Sequence, residues 1–284
     1  MRNSTIIAII GFGEVGQTFA RGLLANGASR IVAYDILFDD PTRREAHQAK
    51  AVAAGVVPAA SAAAASHEAR VVISAVTADQ AEGVAAQATA YLARDQIFFD
   101  VNSASPATKS RAAATVNPTG AQYVEGAIMA AVLGPGLKVP ILAGGPAAET
   151  AAQILNAFGM NITPVTSEPG RASAMKLCRS IVVKGMEAIV IDCAAAAKRW
   201  GVEREVFDSL RGTFPSIDWP VLAESMGERV RTHGIRRAAE MREAAAMLRD
   251  LGLDPTIAAA TADRHERIAL AERARIAAAE KDKS

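Results

Sequence analysis

The sequence has few cysteines, no excess of charge of either sign and no long apolar run. Its 284 residues include two cysteines, and 31 Lys+Arg stand against 30 Asp+Glu, which gives a formal net charge of +1. This balance gives no reason to expect nucleic acid or an anionic membrane surface as a partner. No apolar run reaches the roughly 18–20 residues that cross a bilayer.

The two cysteines also limit the redox and metal chemistry. Cys178 and Cys193 fall on one predicted helix, about 22 Å apart at 1.5 Å per residue, which is too far for a disulfide. Two cysteines make no metal-binding framework. We therefore expect a cytoplasmic protein without a metal site, whose partners are small molecules.

Half of the residues are apolar, which excludes disorder over most of the chain. Residues 1–167 alternate short apolar runs with alanine-rich helical stretches. The predicted strands are Ile6–Ile10, Ile31–Tyr34, Val71–Val76, Ile97–Asp100, Tyr123–Ile128, Val139–Ala143 and Asn161–Val165. Apolar strands separated by helices predict an α/β domain of Rossmann type, a doubly wound parallel sheet with helices on both faces.

Residues 168–284 lack strand signals and predict a separate all-α domain. Arg171–Trp200 forms a long helix between the domains, and its part Ile181–Ala197 is apolar nearly all round, which predicts burial on every side. Further helices are predicted at residues 204–211, 219–231, 236–250 and 256–279. These helices are too few and short to cover Ile181–Ala197, so we expect a homodimer. The groove between the domains is the expected place for chemistry.

A glycine-rich turn follows the first predicted strand and opens a helix. It has the pattern G-x-G-x-x-G and comprises Gly11, Phe12, Gly13, Glu14, Val15 and Gly16. Asp35 follows the next strand, where a carboxylate accepts hydrogen bonds from the adenosine ribose of a dinucleotide. The pattern predicts NAD, because a carboxylate repels the 2′-phosphate of NADP, although the nearby Arg43 and Arg44 leave NADP open. A structural turn without a ligand is the alternative interpretation.

Two further segments carry a family resemblance that covers most of the chain. Residues 100–106, Asp-Val-Asn-Ser-Ala-Ser-Pro, resemble the substrate segment of the β-hydroxyacid dehydrogenases, which are relatives of 6-phosphogluconate dehydrogenase. Residues 170–176 resemble the segment that carries the catalytic lysine of that family. The resemblance implies that Asn102 and Ser103 bind substrate and that Lys176 is the general acid/base. Val76 and Thr77 are further predicted cofactor contacts. A helix-capping turn is the alternative interpretation of residues 102–105.

The position of Lys176 gives a second, physical reason to expect that it acts in catalysis. It lies in the first two turns of a predicted helix, where the helix dipole disfavours positive charge, and Arg179 adds a like charge. Both effects favour the neutral amine, the form that accepts a proton in general base catalysis. A solvated lysine at a helix start is the alternative interpretation.

The sequence departs from the family pattern at three places. Ser180 replaces the usual asparagine, and Met129-Ala130-Ala131 replaces a Ser-Gly-Gly loop. Ala239-Glu240-Met241 replaces a Lys-Asp-Leu segment, with Arg236 and His233 nearby. We expect Ser180, Met129, His233 and Arg236 to line the substrate site of a divergent branch with a different substrate.

The sequence as a whole predicts an NAD(P)-dependent oxidoreductase that converts a 3-hydroxy acid or a related alcohol to the 3-keto product. An imine reductase-like enzyme and a dinucleotide-binding sensor without turnover are the alternatives. Imine reductases usually carry Asp or Tyr at the lysine position, so Lys176 argues against the first alternative. Retention of this lysine argues against the second.

Overall fold

A computed structural model describes residues 5–281, which form eight strands and ten α-helices. The strands are β1 (Ile6–Ile10), β2 (Arg30–Tyr34), β3 (Val57–Pro58), β4 (Val71–Ser74), β5 (Ile97–Asp100), β6 (Gln122–Ile128), β7 (Pro140–Gly144) and β8 (Asn161–Thr166). The helices are α1 (Glu14–Ala25), α2 (Arg44–Ala53), α3 (Ala62–Ser66), α4 (Ala81–Ala88), α5 (Pro106–Val116), α6 (Ala148–Asn156), α7 (Arg171–Trp200), α8 (Glu203–Thr213), α9 (Trp219–Asp250) and α10 (Thr256–Lys281). The chain divides into two compact units, the first ending at Lys176 and the second beginning at Leu177.

The first unit contains one sheet with the strand order β3-β2-β1-β4-β5-β6-β7-β8. Alternate side chains of β1 enter two different cores: Ile7 and Ile9 pack on one face, Ala8 and Ile10 on the other. Burial on both faces explains the continuous apolar runs and confirms the predicted Rossmann-type fold.

One strand pair of this mostly parallel sheet is antiparallel. β7 runs antiparallel to β6, with Ile128 opposite Ile141. The link between them, residues 129–139, contains only a short 3₁₀ turn. A parallel neighbour needs a longer crossover, usually a helix, so this link returns the chain in the opposite direction.

The second unit is helical, and one predicted break in it is wrong. Residues 219–231 and 236–250 belong to a single helix, α9. Gly234 lies at the predicted break, but a Cβ there would come within 2.5 Å of the His265 carbonyl oxygen on α10. This glycine allows two helices to pack closely and does not interrupt α9.

Part of the apolar surface of α7 is exposed in the single chain. Val182 and Ile189 are 62% and 67% exposed, so Ile181–Ala197 is not covered on every side in this chain. Ser180, Lys184 and Glu187 are buried instead. α9 supplies partners for these polar groups, since Glu240 and Arg237 form ion pairs with Lys184 and Glu187 respectively.

Among residues 5–281, no helix combines the length and the apolar character needed to cross a bilayer. Cys178 and Cys193 are both unpaired.

In the second unit, the fully buried His265 lies among Arg237, Lys184 and Arg264. Burial and then these positive charges lower the pKa of His265 to about 4.

Candidate functional site

The glycine turn between β1 and α1 is closely packed at two positions and open at the third. Gly11 has a φ of +92°, and a Cβ there would lie 2.4 Å from the Ala75 carbonyl oxygen. A Cβ at Gly16 would lie 2.2 Å from the carbonyl oxygen of Gly11. Apart from its two chain neighbours, no described residue lies within 4 Å of a Cβ built at Gly13, the N-cap residue just before α1. The turn therefore leaves space at the N-terminus of α1, where backbone N–H groups bind phosphates.

Asp35 lies beside this turn and helps to hold it. Its Oδ2 accepts a hydrogen bond from the Phe12 N–H at 2.6 Å, and its Oδ1 accepts one from Leu37 N–H at 2.9 Å. Val76 follows β4, and its Cγ1 lies 2.9 Å from a Cβ built at Gly11. Thr77, the next residue, is exposed. The structure therefore brings Asp35 and Val76 to the glycine turn, as expected for the carboxyl end of a parallel sheet.

The segment after Asp35 is acidic, and its arginines are engaged. The Tyr34 hydroxyl donates a hydrogen bond to Asp39, and burial together with this carboxylate raises the pKa of Tyr34 to about 12. The Arg44 Nε donates to the Phe38 carbonyl oxygen at 2.8 Å. The Arg43 Nε lies 3.6 Å from Asp40 Oδ2. Both arginines thus interact with oxygens of their own loop.

A buried charged network lies beneath the predicted substrate segment. Asp100 ends β5, and its Oδ1 lies 2.8 Å from the Nζ of Lys109 on α5. Its Oδ2 accepts a 2.7 Å hydrogen bond from the Tyr123 hydroxyl on β6. The three side chains are almost wholly buried, and burial with the Asp100 charge raises the pKa of Tyr123 well above its usual value. This network fixes the point from which the segment leaves the sheet.

Asn102 is held by this network and presents an acceptor. Its backbone N–H donates to Asp100 Oδ1 at 2.9 Å, and its Nδ2 donates to Ser74 Oγ at 3.0 Å. Its Oδ1 is buried and has no hydrogen-bond partner within the described residues. A buried acceptor without a donor is costly, so a ligand donor at this oxygen would stabilise the arrangement.

Ser103 and Lys176 lie in direct contact. The Lys176 Nζ donates to Ser103 Oγ at 2.8 Å, although 73 positions separate the two residues. Ser103 is exposed and Lys176 is half-buried, so solvent reaches the pair. The structure thus brings together two residues that the sequence motifs singled out separately.

The other predicted substrate residues differ in their local environments. Met129 is half-buried at the end of β6, and its N–H donates to the Pro140 carbonyl oxygen. In the second unit, Ser180 is buried and accepts a 3.0 Å hydrogen bond from Lys184. His233 and Arg236 are exposed on α9. Their role in substrate binding stays a prediction.

Sequence reasoning missed three buried polar residues around the site: Lys109, Tyr123 and Glu125. A signal for Glu125 was available, since it is a charged residue inside the apolar run of β6. A buried charge needs partners, and such a residue in a strand indicates a polar contact from another element.

A family comparison agrees with this geometry. The sequence profile of the NAD binding domain of 6-phosphogluconate dehydrogenase matches residues 6–167, more than half of the chain. The chain belongs to this family. A second profile, that of a domain of unknown function (DUF1932), matches residues 197–268. The first match covers the glycine turn, Asp35 and residues 102–103. The first unit of this chain is therefore related to the dinucleotide-binding domain of 6-phosphogluconate dehydrogenase.

Solved structures share the fold over nearly the whole chain. A conserved hypothetical protein from Sinorhizobium meliloti 1021 is 40% identical, with a TM-score of 0.83 over 93% of this chain and 88% of the other. A conserved protein of unknown function, with reported similarity to 3-hydroxyacid dehydrogenases, is 32% identical. Its TM-score is 0.77 over 94% of this chain and 99% of the other.

A more distant neighbour is an enzyme. The 3-hydroxyisobutyrate dehydrogenase of Mycobacterium tuberculosis, solved with L-serine, is 18% identical, with a TM-score of 0.78 over 94% of each chain. This likeness shows the fold alone. The chain spans 54% of the length of the curated relative that it matches. Membership of the 6-phosphogluconate dehydrogenase family thus gives a dinucleotide-binding fold of the 3-hydroxyacid dehydrogenase type, and the substrate is a separate question.

Proposed function

We propose that this protein is an NAD-dependent oxidoreductase that converts a 3-hydroxy acid or a related alcohol to the corresponding 3-keto product. The observation that supports it best is the 2.8 Å contact between Lys176 and Ser103 beside the buried acceptor of Asn102. In this proposal residues 1–167 bind the dinucleotide, and residues 168–284 complete the substrate site and the dimer.

Lys176 moves the proton in the proposed reaction. Its neutral amine accepts the proton of the substrate hydroxyl and returns it in the reverse direction. Ser103 Oγ accepts a hydrogen bond from the resulting ammonium group, which stabilises the protonated lysine. Asn102 Oδ1 accepts a hydrogen bond from a ligand N–H or O–H group and so orients the ligand.

The residues at the glycine turn fit a dinucleotide. The open space at Gly13 suits a pyrophosphate, and the close packing at Gly11 and Gly16 suits a backbone that approaches it directly. Asp35 would accept from the ribose, with Val76 and Thr77 beside the turn. When bound, the nicotinamide supplies the hydride acceptor for the carbinol carbon.

A substrate screen tests the proposal. The protein is mixed with NAD or NADP and a panel of 3-hydroxy acids, aldonates and 3-hydroxy amino acids, including L-serine, and the absorbance of the reduced nicotinamide is followed. Turnover of an alcohol supports the proposal. Turnover of amines or imines alone would indicate an imine reductase, and cofactor binding without any turnover would indicate a sensor.

We predict that NAD is preferred over NADP. The 2′-phosphate of NADP would meet the acidic segment around Asp35 and Asp39, while Arg43 and Arg44 are engaged by their own loop. Asp35→Ala should weaken NADH binding and narrow the preference, as measured by fluorescence titration with NADH and NADPH. A kcat/KM that favours NADP in the unmodified protein would show that the arginines decide the choice.

We also predict a homodimer that forms through α7. Val182 and Ile189 are large apolar residues exposed on this helix, and a second chain would remove their surface from water. Ile189→Glu should shift the protein toward the monomer in sedimentation experiments. Val52→Glu, at an equally exposed position on α2, is the matched control. A monomer that persists at all micromolar concentrations of unmodified protein would contradict the prediction.

A further inference from the structure

Glu125 connects the sheet to the beginning of α7. It is fully buried on β6, and its Oε1 accepts a hydrogen bond from the Ala172 N–H at 2.9 Å. Its Oε2 accepts from the Ser173 N–H at 3.2 Å and from the Ser173 hydroxyl at 2.6 Å. The carboxylate therefore satisfies two of the N–H groups that the first turn of a helix leaves without intrahelical partners.

The neighbouring strand leaves room for this contact. Gly144 on β7 lies directly opposite Glu125 in the antiparallel ladder. A Cβ at Gly144 would lie 2.6 Å from Glu125 Oε1 and 3.1 Å from its Cγ. A side chain at position 144 would therefore displace the Glu125 carboxylate from its present position.

Glu125 also lies beside Asp100, the residue that holds the segment carrying Ser103. Asp100 is its register partner on β5, and Asp100 fixes the segment that presents Ser103. Glu125 fixes the turn of α7 that precedes Lys176. Two buried carboxylates on adjacent strands thus set the positions of the two contacting side chains.

We propose that Glu125 is a positioning residue for Lys176. It fixes the direction and the first turn of α7, and a negative charge at the helix N-terminus offsets the positive end of the helix dipole next to the lysine. The proposal rests on the proposed function only in giving Lys176 a role in proton transfer. The positioning itself is a property of the folded chain and can be measured without a substrate.

Trace labelling with acetic anhydride, followed by mass spectrometry of each lysine, tests the proposal directly. The variants are Glu125→Gln, which replaces one of the two accepting carboxylate oxygens by an NH2 group that donates and cannot accept, and Gly144→Ala, which displaces the carboxylate by steric contact. Gly83→Ala is the control, because a Cβ at this helical position would meet no described atom within 4 Å beyond its chain neighbours and its own helix backbone. The exposed Lys50 calibrates the reagent, and the fully buried Lys109 reports general opening of the first unit.

Both Glu125→Gln and Gly144→Ala should raise the labelling rate of Lys176 by about three- to tenfold, because loss of the Glu125 contact loosens the first turn of α7 and weakens the hydrogen bond that Lys176 donates to Ser103. Lys50 and Lys109 should be unchanged, and Gly83→Ala should match the unmodified protein. If one variant does not fold, the other decides. An unchanged rate at Lys176, or a parallel rise at Lys109, would overturn the proposal.

Kinetic measurements distinguish a failure of the Glu125 proposal from a failure of the proposed function. With a substrate in hand, Glu125→Gln should lower kcat and leave the dissociation constant of NADH within about twofold, because the glycine turn is untouched. Normal kcat in Glu125→Gln together with loss of activity in Lys176→Ala would overturn the positioning role alone. Normal kcat in Lys176→Ala would overturn the proposed function, while the labelling result would still decide the role of Glu125.

Discussion

Lys176→Ala is expected to lower kcat by about 10²–10⁴-fold, the usual contribution of a positioned proton-transfer group. The dissociation constant of NADH should be nearly unchanged, because the glycine turn and Asp35 are the proposed dinucleotide contacts and Lys176 is assigned to the substrate. Lys176→Arg should not restore activity, since a guanidinium stays protonated and cannot accept the hydroxyl proton near neutral pH. Steady-state kinetics together with fluorescence titration of NADH measures both quantities.

The control for this change is Lys198→Ala. Lys198 is an exposed lysine on the same helix, and its removal should leave kcat close to that of the unmodified protein. Near-normal kcat in folded Lys176→Ala would move the chemistry elsewhere, with His233 the next residue to test. Loss of NADH affinity along with kcat would mean that Lys176 places the nicotinamide, and the assignment of proton transfer would be wrong.

Local patterns predicted most of the fold. Each apolar run of the first unit forms a strand because both faces of the sheet are covered. The predicted turn forms because close contacts at Gly11 and Gly16 exclude a side chain at these two positions. The features that the sequence did not predict depend on contacts between elements far apart in the chain. Gly234 looks like a helix break in the sequence, but it is the place where α10 approaches α9. The direction of β7 depends on a short link that has no periodic pattern.

The candidate site likewise has a part that local sequence motifs predict and a part that they do not. Asn102, Ser103 and Lys176 belong to contiguous motifs, so the sequence could identify them one segment at a time. Their contact, and the carboxylates that support it, join residues far apart in the chain. The stripe of Ser180, Lys184 and Glu187 on α7 shows the limit most clearly, because apolar counting predicts burial of the aliphatic residues. It does not predict that these three polar residues are buried too, because the charged partners of Lys184 and Glu187 lie on α9.

The second large effect is expected for the buried ion pair beneath Asn102. Lys109→Met should lower the free energy of unfolding by about 3–5 kcal/mol, because it leaves the Asp100 carboxylate buried without its cation. The Lys109 and Asp100 side chains are 0% and 1% exposed, so water cannot replace the missing ammonium group without opening the structure. Urea unfolding followed by circular dichroism measures the change.

Two further variants show whether the uncompensated charge is the cause. Lys50→Met removes an exposed lysine from α2 and should change the free energy of unfolding by no more than about 0.5 kcal/mol. Asp100→Asn combined with Lys109→Met removes both charges and should recover part of the loss, because a neutral amide costs less to bury than an unpaired carboxylate. If Lys109→Met unfolds at the same urea concentration as Lys50→Met, the ion pair does not stabilise the sheet. If the double variant is as unstable as the single one, packing around Lys109 is the cause and charge is not.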